Sequence, residues 1–362
     1  MTLNERHAAA ARRIVRECAA VRAGENVYIE GRGDSLEYLE LLAFECELVG
    51  ALPLVVAQSD EARRRRLMEL EAGQLGSKSR SWIEAVKAAD VVFTLRLEDG
   101  KPELFADVPS FQRGAEGRGR KLLADHIYDG TRRWIGSDFP TAEQAAVFGM
   151  TFEAYDELFW RSLDLDYAVL RQRAARVAGL LRGAREVRVT SPKGTDVSMG
   201  IEGRPLDLDV GVVNAEAPFS NLPAGEVCLA PIETQANGTV VFDIAFWDGR
   251  WVEDLEVEFT GGVARGVRAA RGLDLFNDTI AGASGAGNVI GELGIGLNHE
   301  VTAPCGNMLL DEKILGTIHI AVGDNTMLGG VNDSSLHWDL LVMKPTVTVD
   351  GRTLLAGGEL VV

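Results

Sequence analysis

The chain has 362 residues, 46% of them hydrophobic and 25% charged, which is enough for two ordinary globular cores. A formal net charge of -17 excludes nucleic acid and anionic membrane as expected partners, because binding to either relies on Lys and Arg neutralising phosphate. Four scattered cysteines without a C-x-x-C pair, a charged N-terminus without an apolar signal core, and no run of ~18 apolar residues point to a reduced, cytoplasmic, non-membrane protein.

Along residues 4 to 21, Ala8, Ala11, Ile14, Val15, Cys18 and Val21 recur at three-and-four spacing and predict one amphipathic helix. A strand at Asn26 to Glu30, a helix carrying Leu36, Leu39, Leu42 and Phe44, and a strand at Leu52 to Ala57 follow. A charged helix over 61 to 72, a helix near 79 to 88 and the strand Val91 to Leu95 continue the alternation. Alternating elements of this kind predict an α/β domain over 1–140 with a mostly parallel sheet. Arg63 to Arg66 reads as a solvated helix face. Gly31-Arg32-Gly33 lacks the third glycine of a nucleotide loop, so no nucleotide cofactor is expected.

Residues 141–184 read as a helical connector. From 185 to 362 the texture becomes short runs such as Val187 to Thr190, Thr239 to Phe242, Thr317 to Ala321 and Thr346 to Val349, separated by glycine turns. This predicts a β-rich α+β domain, and the residues considered next make it the metal-binding one.

The metal expectation rests on particular residues. In His337-Trp338-Asp339 an imidazole and a carboxylate two positions apart on a strand point to one face. His319 lies between Ile318 and Ile320, which pack the other way. Glu226 opens the apolar run Val227 to Ala230, and Glu292 sits between Gly291 and Leu293; a buried carboxylate in either place needs a cation nearby. Two Glu, two His and one Asp are the hard and borderline donors of Zn, Co, Mn or Fe. His299 in Asn298-His299-Glu300 reads as a surface histidine or a substrate contact.

Four ordered segments carry a family resemblance: Asn221 to Val227, Ile290 to Gly296, Asp311-Glu312-Lys313 leading to His319, and His337-Trp338-Asp339. With Phe148-Gly149-Met150, Tyr155, Gly194-Thr195-Asp196 and Gly203-Arg204, these resemble the thermophilic aminopeptidase T family, two-metal exopeptidases that are usually dimeric. The resemblance implies that Glu226, Glu292, His319, His337 and Asp339 are metal ligands, with Glu292 a candidate bridge. It makes Glu292 or Glu312 the candidate catalytic base. The expected enzyme is a homodimeric metallohydrolase with two divalent ions, acting on an amide or related C-N bond of a short peptide or small amine-bearing substrate.

Two departures matter. The family's tyrosine after the histidine matching His319 is missing, since all five tyrosines lie at or before Tyr167. The loop Gly323-Asp324-Asn325-Thr326 with Gly329-Gly330 is similar to that of 2,5-dihydroxypyridine dioxygenase, a mononuclear iron enzyme of the same lineage. That branch has lost the residues matching Glu226 and His319 and has histidine in place of Glu292, so this chain sides with the hydrolases. A ring-cleaving dioxygenase and a non-catalytic small-molecule binder are the alternatives.

Overall fold

The computed structural model describes residues 3–95 and 101–361. The chain forms two compact units, one of Met1–Asp164 with Gly211–Pro223 and the other of Leu165–Val210 with Ala224–Val362. The helical stretch 141–184 is shared, with helix Phe152–Leu163 in the first unit and helix Tyr167–Leu181 in the second.

The first unit holds the parallel sheet expected from the alternating pattern. Its strands run in the spatial order Leu52–Gln58, Asn26–Arg32, Val91–Leu95, Arg133–Ser137 and Phe219–Leu222, and every pair is parallel. Val91, Val92 and Phe93 are fully buried, as a strand covered on both faces should be. The fifth strand comes from the returning segment 211–223, not from the N-terminal alternation.

Local chemistry modifies several expectations. The first helix is α-helical only over Glu5–Arg13, capped by Asn4, and passes into a π-helical turn at Ile14–Cys18. That turn buries Ile14, Val15 and Cys18 together. The arginine run is not a solvated face. Arg63 forks onto Glu116 and stacks over Phe105, Arg64 pairs with Asp107, and Arg66 donates to Gln58, leaving Arg65 on the exposed side with Glu69. At Gly31 a Cβ would lie 2.7 Å from the Leu39 side chain, so this glycine serves close strand–helix packing.

The second unit is the expected β-rich part, built on antiparallel pairing. An eight-stranded sheet begins at Val263–Arg268 and ends at Glu359–Leu360. A five-stranded sheet has the order His337–Val342, Ile318–Gly323, Ile290–Gly296, Glu226–Leu229 and Asp207–Asp209. Every residue of Ile290–Gly296 and Ile318–Gly323 is buried. On one side of these strands Leu293 opposes Ile320 and Ile295 opposes Ile318, an apolar layer that leaves the other side for chemistry.

Gly225 delivers the chain into the Glu226 strand with φ of +137°, and a Cβ there would lie 2.8 Å from Asn298 Cβ. Leu297 N–H donates to the Gly225 carbonyl at 2.8 Å, so the two segments cannot easily separate. Gly225→Ala is therefore expected to lower stability by about 1–3 kcal/mol, read from urea unfolding; an unchanged midpoint would refute the clash.

Candidate metal centre

Register decides which side chains meet. Glu226 pairs with Asp209 on one side and Gly296 on the other, and Gly294 lies between Cys228 and His319. Ala321 lies between Glu292 and Asp339, and His337 pairs with Gly323. Paired residues share a face of a sheet. A register shift between Ile290 and Glu292 turns Glu292 onto the face of Asp339, the kind of re-aiming a bulge supplies beside active sites.

The side chains converge accordingly. His319 Nε2 lies 3.2 Å from Glu292 Oε1, 3.5 Å from Glu226 Oε2 and 3.9 Å from Asp339 Oδ1. His337 Nε2 lies 3.1 Å from Glu292 Oε2 and 3.4 Å from Asp339 Oδ1. Donor atoms of Glu226, Glu312 and His319 fall within 4.8 Å of one another, as do those of Glu292, His319 and Asp339. All six residues singled out in the sequence thus meet at one place. His299 does not join them: it is exposed, 3.5 Å from Glu300.

Lys313 and Asp209 are members of the cluster to which the sequence assigned no role. Lys313 is fully buried, with Nζ 2.5 Å from Glu226 Oε1, 2.8 Å from Glu312 Oε1 and 3.0 Å from Asp209 Oδ2. Asp207-Leu208-Asp209 shows the same two-residue alternation of polar side chains that drew attention to His337 and Asp339, and it could have been found that way. Lys313 could not, because nothing in Asp311-Glu312-Lys313 distinguishes a buried ammonium from an ordinary exposed lysine, and the resemblance gave a role only to Glu312. All three of its residues are buried, and Asp311 accepts the backbone N–H groups of Cys305 and Gly306 at 2.8 Å each.

Proton affinities follow from this crowding. Burial raises the carboxyls of Glu226 and Glu312 above their usual range even against the pull of Lys313. Burial acts on Glu292 in the same direction, but hydrogen bonds from His319 and His337 and their charges outweigh it, and its pKa is lowered. For His319, burial is overcome by the Glu292 hydrogen bond and the charges of Glu226 and Asp339, which raise its pKa to about 10. His337 is likewise raised well above its ordinary value, burial being outweighed by Asp339 and Glu292.

The residues present fit divalent metal. Glu226 Oε2, Asp339 Oδ1 and His319 Nδ1 are buried without a hydrogen-bond partner among the described residues, a costly state for a carboxylate unless a cation meets it. Asp209, Glu226, Glu292, Glu312 and Asp339 set against Lys313 leave four negative charges, the charge that two divalent ions with neutral imidazoles would balance. His337 Nδ1–H donates to the Asp324 carbonyl at 2.7 Å, which in the neutral ring turns the Nε2 lone pair toward the carboxylates.

The stretch that lacks the family tyrosine thus supports His337. It is braced in turn: Asn325 donates to Glu233 at 2.9 Å, Glu233 accepts from Val331 N–H at 2.8 Å and pairs with Arg204, and Arg204 also donates to the Gly329 carbonyl at 3.0 Å. The Gly203-Arg204 motif is therefore part of the mounting of this loop.

A buried, oxygen-rich cluster with two imidazoles, seated on one face of a sheet, is the donor set of a metal-dependent hydrolase. The chain belongs to the thermophilic metalloprotease (M29) family, whose sequence profile matches residues 3–361, and it is a metallohydrolase. Its fold is similar to that of wild-type AmpT from Thermus thermophilus, with a TM-score of 0.80 and 21% identity over 99% of each chain. It is also similar to 2,5-dihydroxypyridine dioxygenase from Pseudomonas putida KT2440, with a TM-score of 0.72 and 16% identity over 100% of this chain and 98% of that one. Among curated protein sequences none matches significantly.

Two outcomes follow from the geometry. The His319 ring lies against Gly294, where a Cβ would sit 2.1 Å from Nε2. Gly294→Ala should displace the ring and weaken metal retention at least about tenfold in chelator competition, with the circular dichroism spectrum unchanged; retention equal to wild type would contradict this placement. The pKa of both histidines is raised, that of His319 to about 10, so proton binding to the rings competes with metal, and a protonated ring that accepts metal must release its proton. Metal uptake in weakly buffered solution at pH 7 should acidify the medium, and uptake without acidification would contradict the assignment.

Proposed function

We propose that the chain is a two-metal aminopeptidase acting on short peptides, with Glu226, Glu292, His319, His337 and Asp339 holding the ions and Glu312 beside them as the base. One observation carries the reading: the two oxygens of Glu292 face different imidazoles, Oε1 toward His319 and Oε2 toward His337. A carboxylate spanning two donor groups is suited to bridge two ions, and such a pair activates water and polarises a carbonyl. The donors that the 2,5-dihydroxypyridine branch is expected to lack, Glu226 and His319, are both in the cluster here, which supports hydrolysis.

The chain's own groups divide the remaining work. Lys313 holds Glu312 Oε1, so Oε2 is the oxygen through which Glu312 would take a proton from attacking water and pass it to the departing amine. The same ammonium holds Glu226 Oε1 and Asp209, keeping carboxylates in place that would otherwise repel one another. The Asp324 carbonyl fixes the tautomer and orientation of His337.

The test is a screen of metal-reconstituted protein against amino-acid p-nitroanilides and dipeptides, with metal counted per chain. We expect hydrolysis that chelation abolishes, two ions per chain, and a loss of more than about 100-fold in kcat/KM for Glu292→Gln. One iron per chain with oxygen uptake would overturn the proposal in favour of the dioxygenase reading. Retained turnover in the Glu292→Gln protein would overturn the bridging role.

Dimerisation has support of its own. Phe44 and Leu48 on the helix Leu36–Leu48 and Leu52 and Leu54 on the adjoining edge strand are all exposed, an apolar strip of the kind that marks an interface. Charge introduced there, as in Leu52→Glu, is expected to convert a sedimenting dimer to monomer. A wild-type monomer would refute the homodimer.

A further inference from the structure

The parallel sheet of the first unit has a topological switch point. Its strand order places Asn26–Arg32 between Leu52–Gln58 and Val91–Leu95, so successive connections leave in opposite directions from the first strand. In open α/β sheets of this order, ligands bind in the crevice near the carboxyl ends of the strands that flank the reversal. A cleft of about 140 Å³ lies there, reached by Glu30, Gln58 and Thr94 from the later parts of the three strands. Lys78 and Arg120 complete its polar wall, and Trp82, Leu123 and Ile127 form its apolar one. It is smaller than the ~300–1,000 Å³ pockets that take drug-sized ligands, so its occupant is compact.

The charges lining the cleft are unequally satisfied. Tyr28 donates its hydroxyl to Glu30 at 2.7 Å, and Arg63 forks onto Glu116 with its Nε at 3.1 Å and Nη2 at 2.8 Å. Gln58 accepts from Arg66 at 2.6 Å, and Thr94 accepts from the Trp134 indole at 3.1 Å. The acceptors are therefore engaged from within the unit. By contrast, Lys78 and Arg120 make no hydrogen bond or ion pair among the described residues, and the Lys78 ammonium rests over the Trp82 ring at 4.9 Å. Burial lowers the pKa of Lys78, a cost that an anion beside it would relieve.

We propose that this cleft is a second binding site, for a small organic carboxylate whose anion is held by Lys78 and Arg120 and whose apolar body lies against Trp82, Leu123 and Ile127. The cations give the site its preference for negative charge, and the indole and aliphatic wall set it apart from a bare-anion site. Neither cation belongs to the metal cluster, so the proposal stands apart from the peptidase reading.

Isothermal titration of the full-length, metal-loaded protein tests it, with phenylacetate, inorganic phosphate and benzyl alcohol as probes. Phenylacetate is expected to bind at a site that Lys78→Met and Arg120→Met each weaken by about tenfold or more, with phosphate and benzyl alcohol much weaker. Quenching of tryptophan emission on phenylacetate addition should disappear in Trp82→Phe. Hydrolase activity should be unchanged in the two cation variants, which also shows that they fold. Phenylacetate binding that survives both substitutions, or no binding at millimolar concentration, overturns the proposal. Phosphate binding as tightly as phenylacetate overturns the apolar part of it.

Discussion

Five carboxylates and one lysine are held on and beside a single face of a five-stranded sheet, nearly out of reach of water. Like charges at such distances cannot all stay ionised without cations. The surrounding structure answers this in two ways. Lys313 provides one permanent positive charge among Asp209, Glu226 and Glu312, and the arrangement of the others leaves oxygen and nitrogen lone pairs facing one another where divalent ions would neutralise them. The raised affinities of Glu226, Glu312 and both histidines for protons are the same fact seen without metal.

The rest of the second unit gains meaning from that constraint. Gly294 has no Cβ, so the His319 ring can lie across it, and Gly296 leaves room for the backbone at Glu312, whose carbonyl oxygen would lie 2.9 Å from a Cβ there. The bulge before Glu292 gives that carboxylate its direction. Behind His337, the Asp324 carbonyl and the Arg204–Glu233–Asn325 network hold a loop that could otherwise drift on its glycines. Small residues and buried ion pairs here serve positioning of the donors.

Much of this was legible beforehand. Alternation of helix and strand up to residue 95 predicts the parallel sheet, and it forms because Val91, Val92 and Phe93 have no other way to be buried. His337 and Asp339 announce a shared face by spacing, and Glu226 and Glu292 by their apolar neighbours. Other features left no local trace. Phe219–Leu222 is short and half polar, and it becomes the fifth parallel strand only because segment 211–223 returns to the first unit. The arginine run looks solvated in sequence, while Glu116 and Asp107, which engage it, lie about fifty and forty residues away.

Residue types and their spacing suffice for what depends on neighbours in sequence, namely the class of each half and the candidate metal donors, and the ordered motifs carry the resemblance to a metallohydrolase family. Only the tertiary structure decided what depends on strand register. It set the direction of Glu292 between two imidazoles, the burial of Lys313 among three carboxylates, and the pairing that brings Asp209 beside Glu226. The reason is physical. Side-chain direction along one strand is dictated by the pleat, but which strands lie adjacent, and at what offset, is settled by packing and by a single extra residue at a bulge.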